Sequence, residues 1–378
     1  MEISNDQPKK IAYIITLPDL GGAQSHLYEV MRNIPKYGYE PLLITGKEGW
    51  LTDKAKAEGI HCHIVHDLVR PISPIKDFQA VRVIKKILKQ EQPVLVHCHS
   101  SKAGIIGRIA AHGCKIPAIF TAHGWAFTEG VNPLKRMLYV CIENLAGYWT
   151  QKIICVSEYD RKLGAHYLPK HKDKMVTIHN GIPDMPELVR DWEKHPVGDV
   201  LNIIVVARFS PPKKNIEILH YLRKMLDKGM KITVTFVGDG PQLDMAKGES
   251  KRLHLEKNAI FLGARTDVAE LLPKYDMFLL LSNWEGFPIS ILEAMRVGIT
   301  VIASDVGGVN ESVFNNINGW LIDHDDYNLF ETISGVVIDK KMLTEKGNKG
   351  RNIYLKLFTL NKIMQKIIDI YQKCRCLK

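Results

Sequence analysis

The stretch "LSNWEGFPISILEAMRVGITVIASDVGG" occupies residues 281–308 and combines strand-type and helix-type patterns. Its first residues end an apolar run, and a helical pattern begins near Phe287–Ser290, within and just after Gly-Phe-Pro. A second apolar run at 300–305 and a glycine turn follow. A strand, a helix and a strand in this order form a parallel βαβ unit. The stretch therefore predicts an α/β fold with a doubly wound sheet.

The same alternation covers most of the chain in two series. The first series predicts strands at 11–17, 40–46, 61–66, 94–99, 118–123 and 152–157, with helices that include 22–37, 75–91, 102–113 and 133–148. The second series predicts strands at 202–209, 231–240, 259–264, 277–282 and 300–305. We therefore expect two Rossmann-like domains whose ligands collect at the carboxyl ends of the strands, facing a central cleft.

The length of the chain supports two domains. A chain of 378 residues exceeds what one ordinary hydrophobic core holds. Residues 184–200 are polar and contain two prolines, and we predict that they form a linker. The predicted domains are then 1–183 and 201–360.

Composition and charge restrict the kinds of partner. A hydrophobic fraction of 46% is typical of a globular protein, and no apolar run suggests a spanning helix or a signal peptide, so we expect a cytoplasmic protein. The net charge is +10, with +7 in residues 1–190 and +3 in the remainder. Such a basic chain could attract nucleic acid, an anionic membrane or an anionic small ligand. No nucleic-acid-binding motif is present, whereas a membrane partner remains open.

The cysteines and histidines do not predict a metal centre. Seven cysteines stand at positions 62, 98, 114, 141, 155, 374 and 376, and an odd number fits reduced thiols. Two "HCH" triplets, at 61–63 and 97–99, each place their histidines on one face of a strand, with the cysteine on the other face. Because no C-x-x-C pair accompanies them, a structural metal is not expected.

Several loops carry features that suit an anionic ligand. Gly21-Gly22 precede a helix, where backbone N–H groups can approach a phosphate. In "ARFSPPKKN", Arg208 and Lys213 lie five positions apart and could converge on one diphosphate, with Lys214 expected to face solvent. A tight turn and a solvated basic loop are the simpler alternatives.

The remaining candidates follow later strands of the second series. Gly240 lies in the glycine loop "VGDGPQL", and the backbone around Arg265 could bind the flat edge of a base. The predicted helix after Glu285 presents free N–H groups, and Glu293 within it needs hydrogen-bond donors such as the hydroxyls of a ribose. Glu285 could hold a sugar hydroxyl. The alternative is that both glutamates are solvated surface residues.

These segments together resemble the retaining glycosyltransferases of family 4, which have the GT-B fold. The resemblance spans about residues 11–325 and rests on "GGAQSHLYEV", "HCHSSKAGIIGRIAA", "FTAHGWAFTEG", "IHNGIP", "ARFSPPKKN", "VGDGP", "FLGARTDV", "EGFPISILEAM" and "VIASDVGGVNE". The E-x₇-E spacing of Glu285 and Glu293, with the upstream Arg-Lys pair, is its most specific part.

The resemblance implies a role for each candidate residue. Arg208 and Lys213 would neutralise the diphosphate of a nucleotide-sugar donor, Glu293 would hold the ribose, and the backbone near Arg265 would bind uracil. Glu285 would bind the hydroxyls of the donor sugar. The remaining implied donor contacts are the backbone of Gly286, Phe287, Pro288 and Ile289, the glycines Gly21, Gly22 and Gly240, and the side chain of His123 at the C6 hydroxyl of the sugar. A satisfied histidine at a strand end is the alternative for His123.

The resemblance also implies that no metal or other cofactor is required. No D-x-D motif stands at a strand end, and "DHDD" at 323–326 lies in a polar loop. Arg208 and Lys213 would replace a cation in stabilising the departing nucleotide. A retaining transfer would proceed by front-face attack, since no second carboxylate is placed to form a covalent intermediate.

The acceptor is the least determined part. "NPLKRMLYVCIENLAGYW" at 132–149 places apolar and basic residues at helical spacing, which suits a membrane surface, although packing into the core is the alternative. Residues 361–378 would form a helix that crosses back to the first domain. We expect a nucleotide-sugar donor, with UDP-N-acetylhexosamine as the first expectation. The expected acceptor is a saccharide, free or linked to polyprenyl diphosphate, in bacterial surface polysaccharide synthesis, at the inner face of the membrane.

Two other functions remain as alternatives. A sugar-nucleotide 2-epimerase of the same fold would need further acid and base residues, and none is identified. A non-catalytic subunit of a polysaccharide synthase would be expected to lose the cationic pair or the glutamates. All four residues are present.

Overall fold

The computed structural model describes residues 9–128, 130–323 and 328–375 and forms two compact units. Unit 1 contains the chain up to Gly181 and from Leu360 onward, and unit 2 contains Ile182–Thr359. Among the described residues, no helix is both long and apolar enough to cross a lipid bilayer. Residues 324–326 of "DHDD" and Cys376 lie outside the described residues.

Unit 1 is built on a seven-stranded parallel sheet. Its strands are β1 Lys9–Ile15, β2 Tyr39–Thr45, β3 His61–Ile64, β4 Leu95–His99, β5 Ala118–Ala122, β6 Lys152–Cys155 and β7 Met175–Thr177. Its helices are α1 Gly22–Asn33, α2 Trp50–Ala57, α3 Pro74–Glu91, α4 Ser101–Gly113, α5 Pro133–Gly147, α6 Glu158–Tyr167 and, from the end of the chain, α13 Leu360–Arg375. The strand order β3-β2-β1-β4-β5-β6-β7 is that of a doubly wound fold.

Two hydrophobic layers cover the sheet of unit 1. Leu27 of α1, Leu51 of α2 and Ile367 of α13 belong to the layer on one face, and Ile84 of α3 and Ile106 of α4 belong to the other layer. The central strands are apolar on both faces because both faces are covered by helices. The C-terminal helix α13 is thus part of the core of unit 1.

Unit 2 repeats this architecture with six parallel strands. They are β8 Leu201–Val206, β9 Ile232–Val237, β10 Ala259–Gly263, β11 Met277–Leu280, β12 Thr300–Ser304 and β13 Gly319–Ile322, in the order β10-β9-β8-β11-β12-β13. The helices are α7 Asn215–Asp227, α8 Leu243–Arg252, α9 Val268–Leu271, α10 Ile289–Val297, α11 Leu329–Ile338 and α12 Lys341–Leu357. The prediction of two Rossmann-like doubly wound domains is confirmed.

The segment 184–200, predicted as a linker, packs on unit 2. Arg190 is buried, and its guanidinium donates hydrogen bonds to the Asp276 carboxylate at 2.8 Å and to the carbonyls of Pro273 and Tyr275. It also stacks on the Trp192 ring, 4.2 Å from the ring centroid. A buried arginine with these partners holds the segment on unit 2. The polar composition of the segment therefore reflects buried contacts such as those of Arg190 as well as solvent exposure.

Candidate functional site

The strand order of unit 2 places its switch point between β8 and β11. The connections leave these neighbouring strands in opposite directions, which opens a crevice at their carboxyl ends. Arg208 follows β8 by two residues, and Glu285 follows β11 by five. Sequence-predicted residues from distant parts of unit 2 are therefore brought to one edge of the sheet.

Backbone hydrogen bonds tie the loop after β8 to the segment after β11. The N–H of Lys214 donates to the Leu281 carbonyl at 3.0 Å, and the N–H of Asn283 donates to the Pro212 carbonyl at 3.0 Å. Lys213 and Ser282 form an antiparallel bridge between these hydrogen bonds. The cationic loop is consequently held as an extra strand-like segment along the end of β11.

This pairing brings Lys213 and Glu285 together. The Lys213 Nζ forms an ion pair with Glu285 Oε1, and the Ser282 hydroxyl donates to the same oxygen at 2.6 Å. Both charged side chains are largely buried. Ser282 was not among the predicted site residues, because its contact with Glu285, three residues later, depends on the turn after β11.

Lys214 does not face solvent, contrary to the prediction. It is buried at the start of α7, where its N–H is held by Leu281 and the next residue, Asn215, is also buried. The Asn215 side-chain amide donates to the Arg208 carbonyl at 3.1 Å. The strand-like pairing of the loop encloses Lys214, which adjacent lysines in a sequence do not reveal.

Arg208 is exposed at this edge. Its backbone is fixed because the Asn215 amide binds its carbonyl and the next N–H, that of Phe209, donates to the Asp239 carbonyl at 2.9 Å. Within the described part of the chain, the Arg208 guanidinium has no hydrogen bond or ion pair. It is therefore a cation on a rigid backbone that is available to an anion.

The glycines of "VGDGP" are required for loop packing. Gly238 and Gly240 have φ of 145° and 150°. A Cβ at Gly238 would lie 2.1 Å from the Ala207 carbonyl oxygen, and one at Gly240 would lie 2.5 Å from that of Phe209. The β9–α8 loop therefore packs closely against the backbone on both sides of Arg208. Gly240, predicted to bind the donor, thus has a packing role, and its N–H already donates to the Asp239 carboxylate at 2.7 Å.

A second glycine turn supports Glu285. Gly307 has φ of 57°, and a Cβ there would lie 1.8 Å from the Glu285 carbonyl oxygen. The N–H of Gly308 donates to the Gly286 carbonyl at 3.0 Å. The sequence predicted only a turn at "DVGG". In the structure, this turn fixes the backbone of the Glu285 loop.

Helix α10 begins beside this loop without a side-chain cap. Pro288 is its N-cap residue, and its side chain cannot accept a hydrogen bond from the first N–H groups of the helix. A nine-residue helix with an open N-terminus offers donors and a partial positive charge to an anion. Phe287 is buried against the Phe358 ring, with centroids 5.4 Å apart, so its side chain belongs to the core. The candidate ligand contact at Phe287 is therefore its backbone.

Glu293 lies one turn inside α10. The residue as a whole is half-buried, but burial of its carboxyl raises the pKa, and the charge of Arg296 offsets only part of this. Among the described residues, none forms a hydrogen bond or ion pair with this carboxyl. A carboxyl in this environment gains from a ligand that donates hydrogen bonds.

Arg265 is engaged elsewhere. It follows β10, is exposed, and binds Asp267 through two hydrogen bonds of 2.8 and 2.5 Å. The carbonyl of Gly263, just before it, accepts from the N–H of Gly238 at 2.8 Å. The guanidinium therefore has a partner already, and the backbone of this loop remains the candidate contact for a base.

In unit 1 the predicted glycines lie at the switch point between β1 and β4. Gly21 is the N-cap residue of α1 with an extended φ of −177°, and Gly22 is exposed as the first residue of the helix. No side chain caps α1. Beside them, the hydroxyls of Thr16 and Ser100 lie 3.0 Å apart. Because the backbone of Gly21 is extended, other residue types could adopt the same conformation at this position.

His123 is half-buried and contacts a cluster of buried imidazoles at the carboxyl ends of β4 and β5. Its Nε2 shares a hydrogen bond of 3.0 Å with Nδ1 of His99, and the two rings stack at 5.3 Å. The His26 ring from α1 meets the His123 ring edge-on at 5.5 Å. Burial lowers the pKa of His123 and His99 well below the usual range and that of His26 to about 4. All three rings are therefore neutral near pH 7.

His97 extends this cluster toward the core. It lies between the hydroxyls of Tyr371 and Thr121, at 2.6 and 2.7 Å, and burial lowers its pKa to about 3. The predicted alternation holds, since the His97 and His99 rings are 4.3 Å apart while Cys98 packs in the opposite core layer. His26 and His99 were not predicted as site residues.

The first "HCH" triplet forms a different cluster. His61 and His63 of β3 meet Glu91 at the end of α3, with ligand atoms within 4.8 Å of one another. Glu91 also forms an ion pair of 2.9 Å with Lys10. A cation beside the carboxylate already balances its charge, so the cluster forms a closed network of charged and polar groups away from the β1–β4 switch point.

Comparisons with known proteins match nearly the whole chain. Residues 20–184 match the family described as Glycosyltransferase Family 4, and residues 190–353 match the family described as Glycosyl transferases group 1. An Escherichia coli protein, UDP-Gal:alpha-D-GlcNAc-diphosphoundecaprenol alpha-1,3-galactosyltransferase, is 31% identical over 374 residues, which is 96% of each chain. The O-antigen biosynthesis glycosyltransferase WbnH of Escherichia coli is 28% identical over 84% of this chain and 86% of its own.

Solved structures show the same fold. Anabaena Alr3699/HepE in complex with UDP-glucose has a TM-score of 0.80 over 96% of this chain and 99% of its own, at 19% identity. Sucrose-phosphate synthase from Thermosynechococcus elongatus has a TM-score of 0.83 over 98% of this chain and 100% of its own, at 17% identity. At these identities the likeness concerns the fold alone.

Proposed function

The chain belongs to glycosyltransferase family 4 and is a GT-B glycosyltransferase of bacterial polysaccharide and O-antigen synthesis, and we propose that it transfers a hexose from a UDP-sugar to a lipid-linked saccharide. The observation that carries the proposal is the cationic edge of unit 2. There, Arg208, which has no side-chain partner in the described part of the chain, lies with Lys213, which is held by Glu285, and with the start of α10. These features follow adjoining strands. Such an edge suits a diphosphate.

Arg208 and Lys213 are proposed to stabilise the leaving group. When the bond between the anomeric carbon and the diphosphate breaks, negative charge grows on the phosphate oxygens. Fixed cations aimed at that charge lower the barrier without reorganising during the reaction. In this role they replace a divalent metal, so the proposed reaction needs no metal and no cofactor.

The two glutamates are proposed to hold different parts of the donor. Glu285 keeps Oε1 on Lys213 and Ser282, which fixes the carboxylate so that it can accept a hydrogen bond from a sugar hydroxyl. Glu293, whose pKa is raised by burial, is proposed to accept from the hydroxyls of the ribose. The backbone near Arg265 is proposed to bind uracil, since the guanidinium is held by Asp267.

In unit 1, His123 is proposed to bind a hydroxyl of the donor sugar. Because burial lowers its pKa, it acts as a neutral hydrogen-bonding group and does not supply a proton from an imidazolium. Gly21 and Gly22 are proposed to approach the phosphates through the N-terminus of α1, which no side chain caps.

The sugar, the acceptor and the stereochemistry are proposed from relatives. The Escherichia coli relative is named for UDP-galactose, a diphosphoundecaprenol-linked GlcNAc and an alpha-1,3 linkage. We therefore place UDP-galactose ahead of UDP-N-acetylhexosamine as the donor, with a polyprenyl-diphosphate saccharide as the acceptor. Transfer from an α-linked donor to an α-linked product retains configuration. An acceptor of this kind places the enzyme at the cytoplasmic face of the membrane.

A nucleotide titration tests the donor part of this proposal. Thermal unfolding of the purified chain is followed with UDP, GDP, ADP and CMP, each with and without EDTA. We expect selective stabilisation by UDP that persists in EDTA, because Arg208, Lys213 and Glu293 bind the nucleotide without a metal. Preference for GDP or ADP would reject the uridine donor, and no response to any nucleotide would favour a non-catalytic subunit.

A further inference from the structure

Helix α5 carries apolar side chains on two faces. Tyr139 and Val140 pack against the core of unit 1. A second set forms an outward stripe: Leu134, Met137, Leu138, Cys141, Leu145 and Tyr148, the last at its C-cap. Their spacing of three and four residues places them within one arc of the helix. Leu134 is 74% exposed and Met137 is 63% exposed. This stripe does not pack into the core, whereas the opposite face of α5 does, so the alternative drawn from the sequence holds for one face only.

The inward face of α5 also carries a buried charge beside the core contacts of Tyr139 and Val140. Glu143 is buried and accepts from the guanidinium of the buried Arg108 of α4 at 2.6 Å. Arg108 also donates to the Gly104 carbonyl at 2.6 Å and lies 4.5 Å from the centroid of the Phe120 ring. Breaking such a pair is costly, so the orientation of α5 is strongly fixed. The outward apolar stripe is therefore a stable feature of unit 1.

A second apolar group lies on the same side of the sheet. Ile72, Ile75 and Phe78, just before and in the first turns of α3, are all exposed, with Ile75 at 76%. Helix α4 packs between α3 and α5, and all three helices begin at the carboxyl edge of the sheet because each follows a strand. The two apolar groups thus flank the start of α4 at the edge where unit 1 also holds His123 and Gly22.

The charges around these groups indicate the partner. Along the outward line of α3, the apolar first turns are followed by the exposed cations Arg82, Lys86 and Lys89. Unit 1 contains 29 lysines and arginines against 17 aspartates and glutamates, a net +12, while unit 2 contains 22 against 24, a net −2. An apolar stripe bordered by lysine and arginine suits anionic lipid. A second copy of the same face would bring like charges together.

We propose that the outward faces of α3 and α5, here called the α3–α5 face, insert into the surface of an anionic bilayer. The apolar side chains enter the boundary between headgroups and acyl chains, and the α3 cations contact the lipid phosphates. The inference rests on the proposed function, because a lipid-linked acceptor lies in that bilayer. It identifies the surface by which unit 1 reaches the acceptor and the side of the sheet that faces the membrane.

The test is binding of the full chain to vesicles of phosphatidylcholine with and without phosphatidylglycerol. The variant L134Q/L138Q removes two apolar side chains of α5, and R82E/K86E reverses two charges of α3. We expect the wild type to bind only phosphatidylglycerol vesicles and each variant to bind at least ~10-fold more weakly, with added salt weakening the wild type. The matched controls I338Q and K247E alter exposed residues of unit 2 and should bind like the wild type.

Two further measurements keep the outcomes distinct. Stabilisation by UDP is measured on every variant, because it reports unit 2 and a folded protein without depending on lipid; the variants should keep it. Vesicle binding that is unchanged in both face variants overturns the proposal whether or not UDP binds. A wild-type dimer in solution that L134Q/L138Q converts to a monomer also overturns it, since the face would then be a contact between copies.

Discussion

At the scale of single residues, the two cations of the candidate site differ in how firmly the protein holds them. Lys213 is fixed by Glu285 in a largely buried pair, whereas Arg208 is exposed on a backbone that neighbouring loops clamp. A guanidinium without a protein partner is free to bind the diphosphate through two hydrogen bonds. Arg208 is thus expected to respond most directly to charge that develops on the leaving group.

Arg208→Ala should lower kcat by more than ~10²-fold, because it removes stabilisation of the departing diphosphate. Turnover is measured as UDP release with a saturating UDP-sugar and acceptor. Arg223→Ala is the matched control, since Arg223 forms a surface pair with Asp227 on α7 and should be nearly neutral. A normal kcat for Arg208→Ala would remove this residue from the mechanism.

Glu293→Gln should weaken UDP binding while stabilising the free protein. Burial raises the folded-state pKa of Glu293 above its ordinary 4.5, so the charged form costs stability once the pH rises above that value. The difference in Tm between the variant and the wild type should therefore increase as the pH rises from 4.5 to 7.5. Calorimetric titration with UDP checks the affinity, and an unchanged Kd would show that the ribose is held elsewhere.

The buried imidazoles should make unit 1 sensitive to acid. Burial lowers the pKa of His26 from 6.5 to about 4, so the unfolded chain takes up a proton that the folded chain does not, and stability falls as the pH drops through this interval. His26→Phe should reduce the pH slope of the unfolding free energy by about 1.4 kcal/mol per pH unit. Urea unfolding between pH 7 and pH 4.5 measures the slope. The exposed His66 serves as a control, because His66→Gln should leave it unchanged.

At the scale of elements, the loops after β8, β9, β11 and β12 form the site by packing on one another through glycines. Gly240 and Gly307 each lie so close to a neighbouring carbonyl that a Cβ cannot be accommodated without displacement of the backbone. The carbonyls concerned belong to Phe209 and Glu285, which adjoin or form the cationic site. The position of the functional side chains therefore depends on residues that make no contact with a ligand.

Gly307→Ala should impair transfer through the Glu285 loop. The variant combines a positive φ with a contact of 1.8 Å to the Glu285 carbonyl oxygen. Gly229→Ala is the matched control, because Gly229 has φ of 80° with no atom within 4 Å of the added Cβ. The control should lose about 1 kcal/mol of stability from backbone strain and keep its activity. Equal kcat/KM for the two variants would mean that the close contact has no effect on the site.

Elements were predictable where the chain has strong periodicity. The two strand series and the helices 22–37, 75–91 and 102–113 correspond to elements of the structure, because central parallel strands are continuous apolar runs and their helices have one apolar face. The edge strands β7 and β13, of three and four residues, were not among the predicted strands. The helix α5 was placed correctly, but the sequence left open whether its apolar stripe is exposed, since the inward Glu143 depends on an arginine from another helix.

The residues of the site and their gathering at one edge of the sheet were predictable, but their contacts with one another were less so. Arg208, Lys213, Glu285 and Glu293 gather at one edge because parallel strands end together, which the strand pattern implies. The ion pair of Lys213 with Glu285, the burial of Lys214 and the supporting role of Gly307 arise from contacts between loops far apart in the sequence. Periodicity does not report such contacts.

At the scale of the whole molecule, the net charge of +10 conceals two very different units. All of the excess positive charge lies in unit 1, at +12, and unit 2 is slightly negative at −2. Unit 2, which carries the proposed donor diphosphate site, relies on a few placed cations and not on its overall charge. Unit 1 has the positive charge that favours binding to an anionic membrane, where the proposed acceptor lies. The proposed donor site is therefore in the slightly negative unit, and the proposed acceptor surface is in the positive unit.

We propose that this chain transfers a hexose from a UDP-sugar without a metal, and an assay of transfer to a defined acceptor tests this. The purified chain is incubated in EDTA with UDP-galactose and a lipid-linked GlcNAc diphosphate, and the acceptor is analysed by mass spectrometry. We expect the acceptor to gain the mass of one hexose. The gain should persist in EDTA, and Arg208→Ala should abolish most of it. An acceptor that stays unchanged with UDP-galactose and with UDP-N-acetylhexosamines, or a gain of mass that requires added metal, would contradict metal-independent transfer from a UDP-sugar.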